Sequence, residues 1–210
     1  MDSLRIMIDW GNTLTRDVDL FNYIAYKSGN EKTKWESPDS WKKIRSIGGE
    51  NYFNKIQDKF FKMSEIYPQS KEVISSFFGK SPTDTQTIIV FDNNPTILLP
   101  TEEIQFRLAE ALQNKHININ GQIVESDKTK IVKTYGIDIA VEDDPRIAIS
   151  LCAADVKTIV PIRKWNRSFD LNDLRLITKE KVMKKIEENI FFAEDWYEIG
   201  IIVGRLVDGK

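Results

Sequence analysis

The sequence predicts an α/β fold, a doubly wound parallel sheet carrying a small all-helical insertion, and three observations lead to it. Short apolar, β-branched runs recur along the chain, each followed by turn residues and then by helical periodicity. The runs are nearly continuous rather than alternating, as in strands covered on both faces. Acidic and amide residues gather just past them, at Asp9, Asp92, Asn93, Glu142, Asp143 and Asp144, and in such sheets ligands bind beyond the carboxyl ends of the strands.

The elements follow in order. Leu4–Ile8 reads as a buried strand that ends at Asp9, with Gly11 and Asn12 supplying turn chemistry. Residues 16–83 carry mainly helical spacing, including a short helix over Ser70–Phe78, and form the expected insertion; residues 1–15 and 84–210 form the core. Thr87–Phe91 is the second strand, running into Asp92-Asn93-Asn94-Pro95. A helix follows at Thr101–Gln113, with Glu102 and Glu103 in its first turn, where acids suit the helix dipole. Ile117–Ile119 and Gln122–Val124 are weaker strand candidates. Lys128–Tyr135 reads as a helix, Ile137–Val141 as a strand, Arg146–Ala154 as a helix and Thr158–Ile162 as a strand. Trp196, Ile199, Val203 and Leu206 share one face of a helical pattern.

Composition narrows the function classes. The chain has 210 residues, with 30 Lys and Arg against 32 Asp and Glu, a balance that exerts no general pull toward nucleic acid or anionic membrane. The single cysteine, Cys152, lies in an apolar run, so an internal disulfide is excluded and a buried, inert thiol is expected. With no signal-peptide pattern and no spanning apolar stretch, the expected location is cytoplasmic and off the membrane. His116, the sole histidine, reads as a surface residue. Phe78-Gly79-Lys80-Ser81 echoes the end of a phosphate-binding loop, but no strand precedes it and the first glycine is absent.

A carboxylate just past a buried strand can attack phosphorus or hold a divalent cation. Asp9 is that residue here, and Glu142-Asp143-Asp144 offers a second acidic cluster at another strand end. Carboxylates sharing a cleft repel one another, so a cation or a lysine is needed, and Lys128 is the candidate.

Ile8-Asp9-Trp10-Gly11-Asn12-Thr13-Leu14 resembles the first motif of the haloacid dehalogenase (HAD) superfamily. Lys128, then Gly136-Ile137-Asp138 and Val141-Glu142-Asp143-Asp144-Pro145, is similar to its third and fourth motifs in series. Tyr67-Pro68 with Lys71-Glu72-Val73, Trp165-Asn166-Arg167 and Asp195–Ile199 look like the 5'(3')-deoxyribonucleotidase branch. The resemblance implies a Rossmann-like core with a helical cap over 16–83 and a Mg²⁺-dependent hydrolase of a small phosphomonoester, a nucleotide among the candidates. It implies an aspartyl-phosphate on Asp9, Mg²⁺ held by Asp9, the Gly11 carbonyl and Asp143, and Lys128 neutralising Asp9 and the phosphate. Thr13 would support the loop, Glu142 or Asp144 would tune the metal site, and Thr13, Asp92 and Asn93 would face the substrate.

Two departures bear on activity. The superfamily's phosphatases carry a general acid two residues after the nucleophile, where this sequence has Gly11, and their phosphate-binding Ser or Thr matches Asp92. Asn93 or Asn94 could replace the latter as amide donors, and Asp92 could take the acid's place. A second reading is therefore a catalytically weakened relative that binds a nucleotide or phosphorylated ligand as a sensor or accessory protein. A third is C–P cleavage through a cap lysine, with Lys42, Lys43, Lys55 and Lys59 available.

Overall fold

The computed structural model describes residues 4–17, 20, 60–78, 85–91, 100–175 and 178–209. Strand β1, Leu4–Asp9, is buried at almost every position. Its side chains divide by parity, as a pleated strand requires. Leu4, Ile6 and Ile8 join one apolar cluster and Met7 joins another on the opposite face. Strands β2 (Thr85–Phe91), β3 (Gly121–Val124), β4 (Ile139–Val141), β5 (Lys157–Pro161) and β6 (Ile190–Ala193) complete a six-stranded sheet in the order β3-β2-β1-β4-β5-β6. Every pairing is parallel.

Helices cover both faces. Helix α1 (Ser70–Phe78), α2 (Thr101–Asn114) and α7 (Trp196–Asp208) contribute Val73, Ile74, Ile104, Leu108, Trp196 and Ile199 to the cluster beneath Ile6 and Ile8. Helices α3 (Lys128–Tyr135) and α4 (Pro145–Ala153) place Ile131, Val132 and Leu151 against Met7, Ile88 and Val90 on the other face. On the outer side of α4, Ala148 and Cys152 pack with Ile186 of α6 (Glu180–Asn189), and Leu171 of a short α5 (Leu171–Arg175) packs against the same cluster. The doubly wound parallel sheet expected from the sequence is therefore the observed architecture, and Cys152 is fully buried, with burial pushing its thiol up.

Two expectations are corrected. Ile117–Ile119 is no strand: Ile117 is tied back to Leu112 by its N–H, and Asn120 caps the sheet edge through Thr87. Only Gly121–Val124 pairs with β2. In addition, β6 forms where no strand was expected, following α6 directly and pairing with β5.

The chain leaves the core at Thr15 and returns at Ile66 through an antiparallel bridge. Arg16 N–H donates to Glu65 O at 2.7 Å, and Tyr67 N–H to Leu14 O at 2.9 Å. Residues 21–59, most of the expected helical insertion, lie outside the described residues. Ser70–Phe78, grouped with that insertion on sequence grounds, packs on the sheet beside β2 and α7. No helix among the described residues is long and apolar enough to cross a membrane.

Candidate active site

Strand order reverses at β1, whose neighbours β2 and β4 lead to opposite edges. The crevice beyond β1 and β4 is where this kind of sheet holds ligands. Asp9 is the last residue of β1, and Glu142 and Asp143 directly follow β4. Lys128 opens α3, whose first turn is fixed by Asp127: its side chain accepts the N–H groups of Thr129 and Lys130. All four functional side chains are buried, each with at most 4% of its surface exposed.

Lys128 Nζ lies 2.6 Å from Asp9 Oδ1 and 2.5 Å from Glu142 Oε2, so one ammonium ties the ends of β1 and β4 together. Glu142 Oε1 accepts the Asp144 N–H at 3.0 Å. Asp143 is held from three sides. Thr13 Oγ1 donates to its Oδ1 and accepts its N–H, both at 3.0 Å. Trp165 Nε1 donates to Oδ2 at 2.9 Å, and Asn166 Nδ2 donates to its carbonyl at 2.9 Å.

The loop bearing Thr13 is a wide turn over Trp10–Leu14, closed by the Thr15 N–H on Trp10 O at 3.0 Å. Gly11 (φ −71°, ψ 122°) and Asn12 (φ 57°, ψ −9°) break its helical path. Asn12 thus sits in the left-handed region, which Asn tolerates better than most side chains. Arg163 Nε donates to the Asn12 carbonyl at 3.2 Å while its guanidinium stacks on Tyr67, 3.8 Å from the ring centre. Burial lowers the Arg163 pKa, and Tyr67 and Asp143 oppose that shift.

Three carboxylates and one ammonium, all buried, leave two uncompensated negative charges when every group is ionised. Burial holds Asp9 well above the ordinary carboxylate range against the pull of Lys128, and Glu142 and Asp143 push it further. Burial likewise raises Glu142, against Lys128. Burial and the Glu142 charge raise Asp143 to about 7, against the Thr13 hydroxyl, the Lys128 charge and the Trp165 N–H. Carboxylate oxygens of Asp9, Glu142 and Asp143 lie within 4.8 Å of one another. An all-oxygen set with a charge deficit of two fits a hard divalent cation. A carboxylate oxygen that accepts one hydrogen bond still has a lone pair for a metal.

Asp9, Gly11, Thr13, Lys128 and Asp143, all expected at the site, meet in this crevice, with Glu142 beside them. Asp92 and Asn93 lie outside the described residues. His116 is exposed, as expected. Sequence reasoning missed the positioning roles of Arg163, Trp165 and Asn166. Their signal was the run Trp165-Asn166-Arg167, which marked a resemblance without revealing that two of its side chains grip Asp143. It also missed Asp17, which is 4% exposed beside Gly11. Burial raises Asp17 to about 7, against the hydroxyls of Thr15 and Ser64 and the charge of Lys115.

No protein-family model and no curated protein sequence matches the chain. Its fold does match solved structures over nearly its whole length. A predicted phosphatase from Clostridium acetobutylicum superposes with a TM-score of 0.57 at 10% identity, covering 98% of this chain and 100% of that one. A haloacid dehalogenase-like family hydrolase from Xanthomonas campestris gives 0.56 at 8%, covering 98% and 96%. D,D-heptose 1,7-bisphosphate phosphatase from Burkholderia thailandensis gives 0.54 at 8%, covering 96% and 98%. The chain therefore has the fold of HAD-superfamily hydrolases.

Proposed function

We propose that the chain is a HAD-superfamily phosphatase: a Mg²⁺-dependent hydrolase of a small phosphomonoester, with a nucleotide among the candidate substrates, working through an aspartyl-phosphate on Asp9. The observation that carries this reading is Lys128 Nζ, buried and shared between Asp9 and Glu142 at the switch point of the sheet, with Asp143 beside them. The fold neighbours support the class of reaction, since phosphatases and hydrolases are among them.

Asp9 Oδ1 is engaged by Lys128, which leaves Oδ2 as the attacking oxygen. Lys128 holds the nucleophile in one rotamer and offsets charge gathering on the phosphoryl group. Asp9 and Asp143 would hold Mg²⁺, with Glu142 adjoining and the Gly11 carbonyl as a further donor. Bound there, the ion supplies Lewis-acid neutralisation of the phosphoryl oxygens. Thr13, Trp165 and Asn166 position Asp143, and the buried setting strengthens each of these interactions by excluding water.

The test is phosphate release from p-nitrophenyl phosphate, nucleoside monophosphates and sugar phosphates, with Mg²⁺ or with EDTA. Release should require Mg²⁺ and vanish in Asp9→Asn. Gly11 favours one competing reading, a ligand-binding relative without turnover. Calorimetric binding of nucleotide with Mg²⁺ but no release across the panel would replace the hydrolase with that binder.

A further inference from the structure

The site has a nucleophile, a lysine and a set of metal donors, but position 11 carries no side chain to protonate a leaving group. Another carboxyl borders the space beside Gly11. A Cβ built on Gly11 would stand 3.4 Å from Asp17 Oδ2 and 3.9 Å from Asp9 Oδ2. Asp17 thus reaches back, from just beyond the Thr15–Ile66 bridge, to the volume that a side chain at position 11 would enter. The Asp9 oxygen bordering the same volume, Oδ2, is the one not bonded to Lys128.

Local bonding fixes the Asp17 carboxyl. Thr15 Oγ1 lies 2.7 Å from Asp17 Oδ1 and 2.8 Å from the Trp10 carbonyl oxygen. That carbonyl already accepts the Thr15 N–H at 3.0 Å, so the hydroxyl proton is available to the carboxylate. Ser64 repeats the arrangement: its hydroxyl lies 2.9 Å from Phe60 O, which accepts the Ser64 N–H at 2.8 Å, and it also bonds Asp17. These two bonds favour the carboxylate, while burial favours the acid and prevails, holding the group at about 7, between the two states that a general acid and base must visit. The charged groups facing it are Lys115, half-buried at the end of α2, and Glu65 beyond that lysine.

We propose that Asp17 supplies the carboxyl group missing from position 11 and serves as general acid and general base, an inference that rests on the phosphatase reading above. In the first half-reaction Asp9 Oδ2 bonds to phosphorus, the ester P–O bond breaks, and the Asp17 proton passes to the departing oxygen, releasing the alcohol. In the second, the Asp17 carboxylate takes a proton from water as the water oxygen bonds to phosphorus. The Asp9–phosphorus bond then breaks, giving phosphate, a free Asp9 carboxylate and a reprotonated Asp17.

The experiment compares the full chain, Asp17→Asn and Asp17→Ser with Mg²⁺ on two esters: p-nitrophenyl phosphate, whose leaving group departs without a proton, and an alkyl phosphate, whose leaving group needs one. On the alkyl ester the variants should be slower by about 100-fold or more, the low end of what general acid–base catalysis contributes. The pre-steady-state burst of p-nitrophenolate should fall far less. The variants should also accumulate phosphorylated Asp9, visible as the added mass of one phosphoryl group. Gly11→Asp in the Asp17→Ser background, which returns a carboxyl to the same space, should restore alkyl-ester turnover. Equal losses on both esters, or a double variant no faster than Asp17→Ser, would overturn the role of Asp17 while leaving the phosphatase reading intact. A wild-type chain with no Mg²⁺-dependent release overturns both.

Discussion

At the scale of single residues the site depends on Lys128. A buried ammonium between two buried carboxylates is costly to assemble, but breaking such a set by removing one partner costs more, because charge is left uncompensated. Lys128→Met should therefore destabilise the metal-free chain by about 3–5 kcal/mol near neutral pH, the range for a broken buried pair. The sign with pH follows from the carboxylates. Without Lys128 both Asp9 and Glu142 hold protons more tightly, so acidification neutralises the orphaned charges and the penalty shrinks as pH falls. Urea unfolding at several pH values checks this; a loss independent of pH would refute the electrostatic account. Asp9, Lys128 and Asp143 were legible in the sequence because a strand-end acid and a downstream lysine form a pattern along the chain. Asp17 was not. Its place beside Gly11 depends on how the chain turns at Thr15, and no spacing rule reports that two side chains share one volume.

At the scale of elements, continuous apolar runs gave β1, β2, β4 and β5 to within two residues, and Lys128–Tyr135 matched at both ends. That helix is well marked by its Asp127 cap and by Gly136 in the left-handed conformation, φ 60°. Strand β6 was hidden because Asn189 ends α6 and Ile190 begins the strand with no glycine or proline between them. Ile117–Ile119 misled for the opposite reason: its apolar residues serve the return from α2 rather than a ladder. Two glycines separate the roles that this residue plays in helices. Gly136→Ala forces a side chain into left-handed backbone, with Arg5 Nη1 only 3.2 Å from the new Cβ, and should cost about 1–2 kcal/mol. Gly204, within α7, faces nothing within 4 Å of a built Cβ, so Gly204→Ala should gain up to about 1 kcal/mol from helix propensity. Thermal unfolding of the two variants should move in opposite directions, and a gain at Gly136 would contradict the observed backbone.

At the scale of the whole molecule, the sequence could show strands alternating with helices but not the order in which they pair. That order, β3-β2-β1-β4-β5-β6, puts Asp9 and Asp143 on opposite sides of the switch point. The ion site thus bridges the two halves of the sheet, and Thr13 and Lys128 span the same seam. Mg²⁺ bound there should stabilise the entire fold by mass action, since the unfolded chain holds no such cluster. The pH dependence of that stabilisation follows from Asp143. Its pKa is about 7 in the folded metal-free chain against an ordinary value of 3.8, so between those values the folded state binds more protons than the unfolded one. Metal-free stability therefore falls as pH rises through that window and stays lower above it. Binding the ion requires the carboxylate, so Mg²⁺ must displace a proton below about pH 7 but not above it. The rise in Tm produced by saturating Mg²⁺ should thus be larger near pH 8 than near pH 6, with proton release on binding detectable at the lower pH by calorimetry in buffers of different ionisation enthalpy. Asp143→Asn, which keeps the shape of the side chain but not its charge, should lose most of the Mg²⁺-induced shift at both pH values. An equal or larger shift at the lower pH in the wild-type chain would mean that the ion binds elsewhere than across this seam.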